Sequence, residues 1–251
     1  MKSILRSVPV PLRRRVRQRV ARLVRPAWLR TLQRTTPLSA HWGLERGTPI
    51  DRYYIEQFLH HHREDVRGGV LEVKDRRYTT AFGCGVTHSD VLDIDPANPN
   101  ATIVADLAVA RHVDEHQFDC IIVTQTLQFV FDVGSAVRHL HRMLRSGGVL
   151  LVTVPSITRT DRLLLSSDYW RFTAATCTRL FGDVFGASNI EVRSRGNVLA
   201  ATAFLNGMAR EELSATDLDT EDPLFPVIVT TRAVKPSPHK TSMPPEERLS
   251  R

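Results

Sequence analysis

Three carboxylates pose the first chemical question. Glu72, Asp95 and Asp106 each fall at or just beside the end of a short apolar run: Val70-Leu71-Glu72-Val73, Val91-Leu92-Asp93-Ile94-Asp95-Pro96 and Val104-Ala105-Asp106-Leu107. In an open parallel sheet, ligands bind beyond the carboxyl ends of the strands, where strand order reverses. An ionised carboxylate only accepts hydrogen bonds, so acids at successive strand ends suit a ligand rich in hydroxyls. The competing reading makes each acid an ordinary helix cap or turn residue.

A second polar group, Thr124, Gln125 and Gln128, follows the apolar run that begins at Phe118. Gln128 is a catalytic candidate only through the family resemblance given below, and as a neutral amide it cannot take up a proton as a base. His88, Asp90 and Asp168 are the alternative bases. Each also has a plain reading: His88 as a loop histidine, Asp90 as the lead into a strand, Asp168 as a helix cap. Tyr169 and Trp170 could floor a sugar site with broad apolar faces, and Arg171 could pair with an acidic acceptor. Alternatively, Trp170 and Phe172 pack a lid into the core. His60, His61 and His62 do not suggest a metal, because consecutive helical residues point about 100° apart. They are expected at the negative end of a helix dipole. The cysteines Cys84, Cys120 and Cys177 form no CxxC pair, so neither a zinc site nor a disulfide framework is expected.

The elements that must hold these groups alternate. Strand-like runs fall at 70–73, 91–94, 102–105, 120–124, 149–154, 190–194 and 226–233. Several are solidly apolar, as in a parallel sheet covered on both faces. A helix is expected over 134–144, ending in a Ser146-Gly147-Gly148 turn, and another over 199–213, followed by an acidic loop. The stretch 198–205 is apolar nearly all round, as in a buried helix or an oligomer contact. Thr48-Pro49-Ile50-Asp51 reads as a capped helix start, with Thr48 as cap and Asp51 as the reciprocal acid. Strands alternating with helices predict a doubly wound, mostly parallel seven-stranded α/β sheet.

These segments, in this order, resemble the class I S-adenosylmethionine-dependent methyltransferases, and are similar to members associated with glycan and polysaccharide biosynthesis. Phe118-Asp119-Cys120-Ile121-Ile122-Val123-Thr124-Gln125-Thr126-Leu127-Gln128 resembles the family's fourth-strand motif, and Leu144-Arg145-Ser146-Gly147-Gly148-Val149-Leu150-Leu151-Val152 its fifth. Asp168-Tyr169-Trp170-Arg171-Phe172-Thr173 resembles the stretch after strand five. The resemblance implies S-adenosylmethionine as cofactor. Its contacts would be Glu72, Val73 and Lys74 at the first turn, Asp95 and Pro96 at the ribose, and Asp106 and Leu107 at the adenine. Thr124 and Gln125 would lie at the methyl end, with Arg52 closing over. It also implies O-methylation of a small-molecule or glycan acceptor, held by Tyr169, Trp170 and Arg171. The family's glycine-rich turn is replaced here by Lys74-Asp75-Arg76-Arg77-Tyr78. This departure keeps a non-catalytic scaffold as the alternative. The GxGxxG signature of a nicotinamide-dependent enzyme is absent.

Charge divides the chain. Of its 34 Lys and Arg, eleven lie in residues 1–36 with no acid among them, leaving 23 basic against 27 acidic residues elsewhere. Leu12, Val16, Val20, Leu23 and Val24 recur at helical spacing within that arm. The pattern predicts a basic amphipathic helix for an anionic membrane surface or an acidic partner. The competing reading is a leader that docks loosely on its own domain. The mildly acidic remainder argues against nucleic acid. The expected organisation is an arm over 1–36, a domain over 37–235 and a disordered, proline-rich tail over 236–251. The expected location is cytoplasmic, peripheral to the inner membrane face, and a homo-oligomer is open.

Overall fold

In the computed structural model the described residues are 16–20, 23–24 and 34–237. The tail and most of the arm lie outside them. All seven expected strands form: β1 Gly68–Val73, β2 Val86–Asp93, β3 Ile103–Val104, β4 Phe118–Thr124, β5 Leu144–Pro155, β6 Ile190–Arg195 and β7 Ile228–Val234. They make one sheet in the order β3-β2-β1-β4-β5-β7-β6. β1 to β5 pair in parallel, whereas β7 runs antiparallel between β5 and β6. This is a Rossmann-like methyltransferase fold.

Strand alternation sorts the core into two layers. Leu71, Ile121, Val123, Leu150 and Val152 pack on one face, beneath α3 Val133–Met143 and α4 Ala174–Phe185. Val70, Cys120, Ile122, Val149 and Leu151 face the other way, towards α1 Ile50–His61 and α5 Val198–Leu205. Ala200, Ala201, Ala203 and Phe204 of α5 are buried, while Val198, Leu199 and Leu205 are exposed. The short α2 Arg77–Phe82 follows β1, and α6 Ala215–Asp219 precedes β7.

Several local expectations are corrected. β2 starts at Val86, so His88 and Asp90 are strand residues. Ser146-Gly147-Gly148 lies within β5, not in a turn, where a register irregularity opposite Phe118–Cys120 accommodates it. The helix expected over 199–213 stops at Leu205, and part of the acidic loop is α6, capped reciprocally by Ser214 and Asp217. Pro49, not Thr48, is the cap of α1. The Thr48 amide and hydroxyl both donate to Glu211, so a tertiary contact displaces the local cap. His60 and His61 occupy the last turn, but burial pushes the His62 pKa down, opposite to the effect of a helix C-terminus. No group of residues suited to a metal ion occurs among the described residues.

The segment before α1 is clamped to the far end of the chain. Leu38 N–H donates to the Asn206 carbonyl, Pro49 bridges Ala209, and the buried Arg46 guanidinium pairs with Glu212. Breaking a buried ion pair leaves one charge desolvated and uncompensated. Arg46→Ala is therefore expected to lower unfolding free energy by about 3–5 kcal/mol, read by urea denaturation. A loss under about 1 kcal/mol would be that of an exposed pair and would contradict this placement.

Candidate functional site

The order of the sheet reverses between β1 and β4. From β1 the chain moves to β2 and β3 on one side, then returns to β4 on the other. Both strands end in a left-handed residue, Lys74 with φ 80° after β1 and Gln125 with φ 46° after β4. Such φ values are uncommon outside glycine and cluster at functional turns. Lys74 thus keeps the backbone conformation that a glycine would adopt freely, and its side chain is exposed.

The three acids do not converge as free acceptors on one hollow. Glu72 is buried, and its two oxygens accept the Tyr78 and Thr79 amides at 3.0 and 2.7 Å. Burial still pushes its pKa up against the pull of those donors. Asp95 is exposed and accepts the Ala97 amide, and half-buried Asp106 accepts the Ala108 amide. Pro96 is exposed beside Asp95, and Leu107 is buried, its carbonyl bonded to His139.

Asp93 is the last residue of β2, paired with Val104 of β3. It stands at the strand end that sequence reasoning assigned to Asp95. The Asn98 amide donates both to the Asp93 carboxylate at 2.6 Å and to the Lys74 carbonyl at 2.7 Å. One NH2 group therefore bridges the carboxyl ends of β1 and β2. Asn98 lies in Asp95-Pro96-Ala97-Asn98-Pro99-Asn100, which reads as a turn and carries no other signal in the sequence.

Beyond β4, Gln125 N–H donates to the Thr153 carbonyl, and Thr124 supplies its own carbonyl to the Thr126 hydroxyl. Gln128 is buried and donates to the Gln125 carbonyl, while its Oε1 is buried with no partner among the described residues. Such an atom costs stability unless something else satisfies it. The Gln128 carbonyl accepts the amides of Tyr169 and Trp170, tying the acceptor-side loop to the end of β4.

The other candidates separate. His88 pairs with Asp90 at 2.9 Å on the outer half of β2. His88 stands five residues and Asp90 three residues before Asp93, about 16 and 10 Å back along the strand, and each is engaged by the other away from the crevice. Asp168 accepts the Asp161 amide and is paired with Arg171 at 2.5 Å. That hydrogen bond holds its pKa below the usual carboxylate range, so it is a poor base. It is not a helix cap, since Thr173 caps α4. Arg171 is engaged by Asp168, not free for an acidic acceptor. Phe172 is buried in the core, whereas Trp170 is partly exposed, stacked on Phe131 and bonded through Nε1 to the Val130 carbonyl. The paired readings of Trp170 and Phe172 thus split between them. Tyr54 is core, with its hydroxyl on the Leu218 carbonyl. Arg52 is half-buried, and its charge bears on Asp51 and on Tyr78 beside the first turn.

Two cavities lie elsewhere. One of about 640 Å³ is lined by Tyr53, Gln57, His61, Arg193 and Asp219, among others. Another, of about 660 Å³, sits at the starts of β1, β4 and β5. Neither is lined by the strand-end residues.

The acceptors at the crevice suit a ligand that carries hydrogen-bond donors. An acidic strand end and an exposed-turn carbonyl are held close enough to receive two donors from one small group, as Asn98 shows. Residues 80–152 match the family model described as "Methyltransferase domain". The match starts just after the Lys74–Tyr78 turn, where the sequence leaves the glycine pattern. No curated protein sequence matches the chain. Among solved structures, a complex of the Haloferax volcanii Trm112 methyltransferase activator with a proposed methyltransferase is similar at 16% identity and TM-score 0.49, over 75% of this chain and 94% of that one. A SAM-dependent methyltransferase from Archaeoglobus fulgidus is similar at 10% identity and TM-score 0.48, covering 73% and 94% of the two chains. One from Mesorhizobium loti is similar at 17% and 0.47, covering 74% and 99%.

Asp51, read from sequence as a capping acid, is instead bonded only to the amide of its own neighbour, Arg52, and burial raises its pKa to about 6. A carboxyl raised in the folded state stabilises the fold fully only below its unfolded pKa, and stability is lost as pH rises towards about 6. Asp51→Asn is therefore expected to be more stable than the parent at pH 8 by about 1–3 kcal/mol, with the gain vanishing near pH 4. Urea denaturation at both pH values checks this; an equal gain at both would assign the effect to packing.

Proposed function

We propose that this chain binds S-adenosylmethionine across the carboxyl ends of β1, β2 and β4 and methylates a hydroxyl of a small or sugar-like acceptor. The observation that carries the reading is the acceptor pair, the Asp93 carboxylate and Lys74 carbonyl, beside the sheet's reversal point. Asp93 would hold ribose hydroxyls in place of the Asn98 amide, with Asp95 and Pro96 forming the outer turn. Lys74 would present its carbonyl to the amino group, Asp106 and Leu107 would flank the base, and Thr124 and Gln125 would line the methyl end. Bound there, the cofactor supplies an electrophilic methyl on a sulfonium. The chain's own work is then positioning: near-attack geometry is worth far more to such a displacement than covalent help. Gln128 Oε1, buried with no partner among the described residues, is an acceptor that could orient the hydroxyl without deprotonating it; the hydroxyl proton would pass to solvent as the O–CH3 bond forms and the methyl–sulfur bond breaks.

A second reading, a non-catalytic scaffold on the same fold, draws on Asn98, which already occupies one acceptor site on each of these two groups. Titration with S-adenosylhomocysteine followed by calorimetry separates the two. Methyl transfer requires saturable binding that Asp93→Ala weakens about tenfold or more, the scale of a hydrogen bond to a charged group. Asp95→Ala is expected to leave affinity unchanged, and Asn98→Ala to tighten it by removing the internal competitor. Absence of binding at millimolar ligand by both parent and Asn98→Ala would refute the enzyme reading.

A further inference from the structure

Two exposed apolar features flank the Tyr169–Trp170 side of the crevice, and among the described residues nothing covers them. The first is the loop between β5 and α4. Its base is closed by polar contacts, the Asp168 carboxylate accepting the Asp161 amide and pairing with Arg171. Its tip carries Arg162-Leu163-Leu164-Leu165, with Leu163 91% and Leu165 68% exposed. Three consecutive outward leucines are not explained by packing. Phe131, also 68% exposed, stands against Tyr169 and Trp170 at the same rim.

The second is the arm. Residues 16–20 and 23–24 are helical, and Gln18 reaches the domain, donating to the Leu44 and Gly47 carbonyls. Val16 and Val20 lie two residues to either side of Gln18, about 160–200° around the helix. The polar side chain therefore docks, and the valines look outward, beside exposed Arg17 and Arg19; Leu23 and Val24 are exposed too. The described part of the arm thus touches its own domain through Gln18, as a loosely docked leader would, while its apolar side chains stay exposed.

The two features are linked. Trp42, close in sequence to the carbonyls that hold Gln18, donates to the Thr158 hydroxyl and is covered by the Arg159 guanidinium at 3.5 Å. Arg159 opens the segment that leads to the leucine tip.

The geometry points to this side of the molecule as a docking surface for an anionic lipid bilayer, with the arm helix lying in the interface and Leu163 to Leu165 inserting beside it. Charge selects this occupant: the arm holds eleven basic residues and no acid, and arginines border both apolar features. Leucines at the tip and arginines at the flanks match the interfacial arrangement in which apolar groups enter the acyl boundary and cations meet the headgroups. The docking stands independently of methyl transfer. Where that proposed function also holds, the acceptor is one carried in or on the bilayer, presented beside Tyr169 and Trp170.

Co-sedimentation of the full chain with vesicles tests this without any cofactor, so its failure and the failure of the enzyme reading are distinguishable. Vesicles of phosphatidylcholine with phosphatidylglycerol are expected to bind the chain, and pure phosphatidylcholine far less. Leu163→Asp with Leu165→Asp should weaken partition about tenfold or more, and Arg17→Ala or Arg19→Ala about fivefold each. All four positions are exposed, and unchanged circular dichroism verifies that the variants are folded. Failure to bind anionic vesicles at low salt would overturn the proposal and leave the leucines to a protein partner. Binding that the leucine variant leaves intact would equally overturn insertion of the loop.

Discussion

The pairing of β1 with β2 on one flank and β4 on the other governs the rest of the molecule. Both pairings are parallel, so each needs a crossover: one leads from β1 out to β2, and the other returns from β3 past β1 to β4. A gap at the carboxyl ends is the geometric result, not a feature any side chain creates. Left-handed Lys74 and Gln125 mark where the chain turns away on either side. Glu72 then fastens the first crossover, since its carboxylate gathers two amides of α2 that would otherwise be unsatisfied.

The same constraint explains what could be read from the sequence and what could not. Five strands were legible from apolar runs that the sheet buries, whereas β3 and β6 hold no fully buried residue and show only the half-buried Ile103, Ile190 and Val192. The first half of β2 was not, since Val86-Thr87-His88-Ser89 is largely exposed and shows no apolar periodicity. The end of β2 was ambiguous by two residues, because Asp93 and Asp95 share the same alternation, and only the pairing with Val104 separates them. The Thr48 cap failed for a different reason. Local capping competes with a carboxylate 163 residues away, and Glu211 satisfies both Thr48 donors at once. Asn98 could not have been found by motif, because its role depends on which carbonyl the fold brings to it.

The loop between β5 and α4 shows how polar and apolar demands are divided. Asp168 and Arg171 neutralise each other at the loop base, which leaves neither available for acid–base work. That exchange gives a rigid base to a loop whose tip is apolar and uncovered. On the opposite flank, Arg46 and Glu212 perform a similar service, fixing the segment on which Gln18 rests. Two ion pairs thus hold in place the two elements that carry the exposed leucines and valines.

The turn after β1 brings these threads together. A non-glycine residue at φ 80° costs on the order of 1 kcal/mol relative to glycine. The fold tolerates that cost because the peptide is held at both ends: Lys74 N–H donates to the Leu92 carbonyl, and the Lys74 carbonyl accepts from Asn98. Asn98 therefore has two effects that oppose each other. It props a turn that lacks the glycines which would adopt it unaided, and it occupies the acceptors a ligand would use. A ligand that displaces it must supply equivalent donors to both Asp93 and Lys74, or the strained turn loses its support. A ribose and an amino group carried on one molecule meet that requirement, whereas a ligand with a single donor does not. The absence of glycine at this turn thus makes its support depend on what occupies these two acceptors.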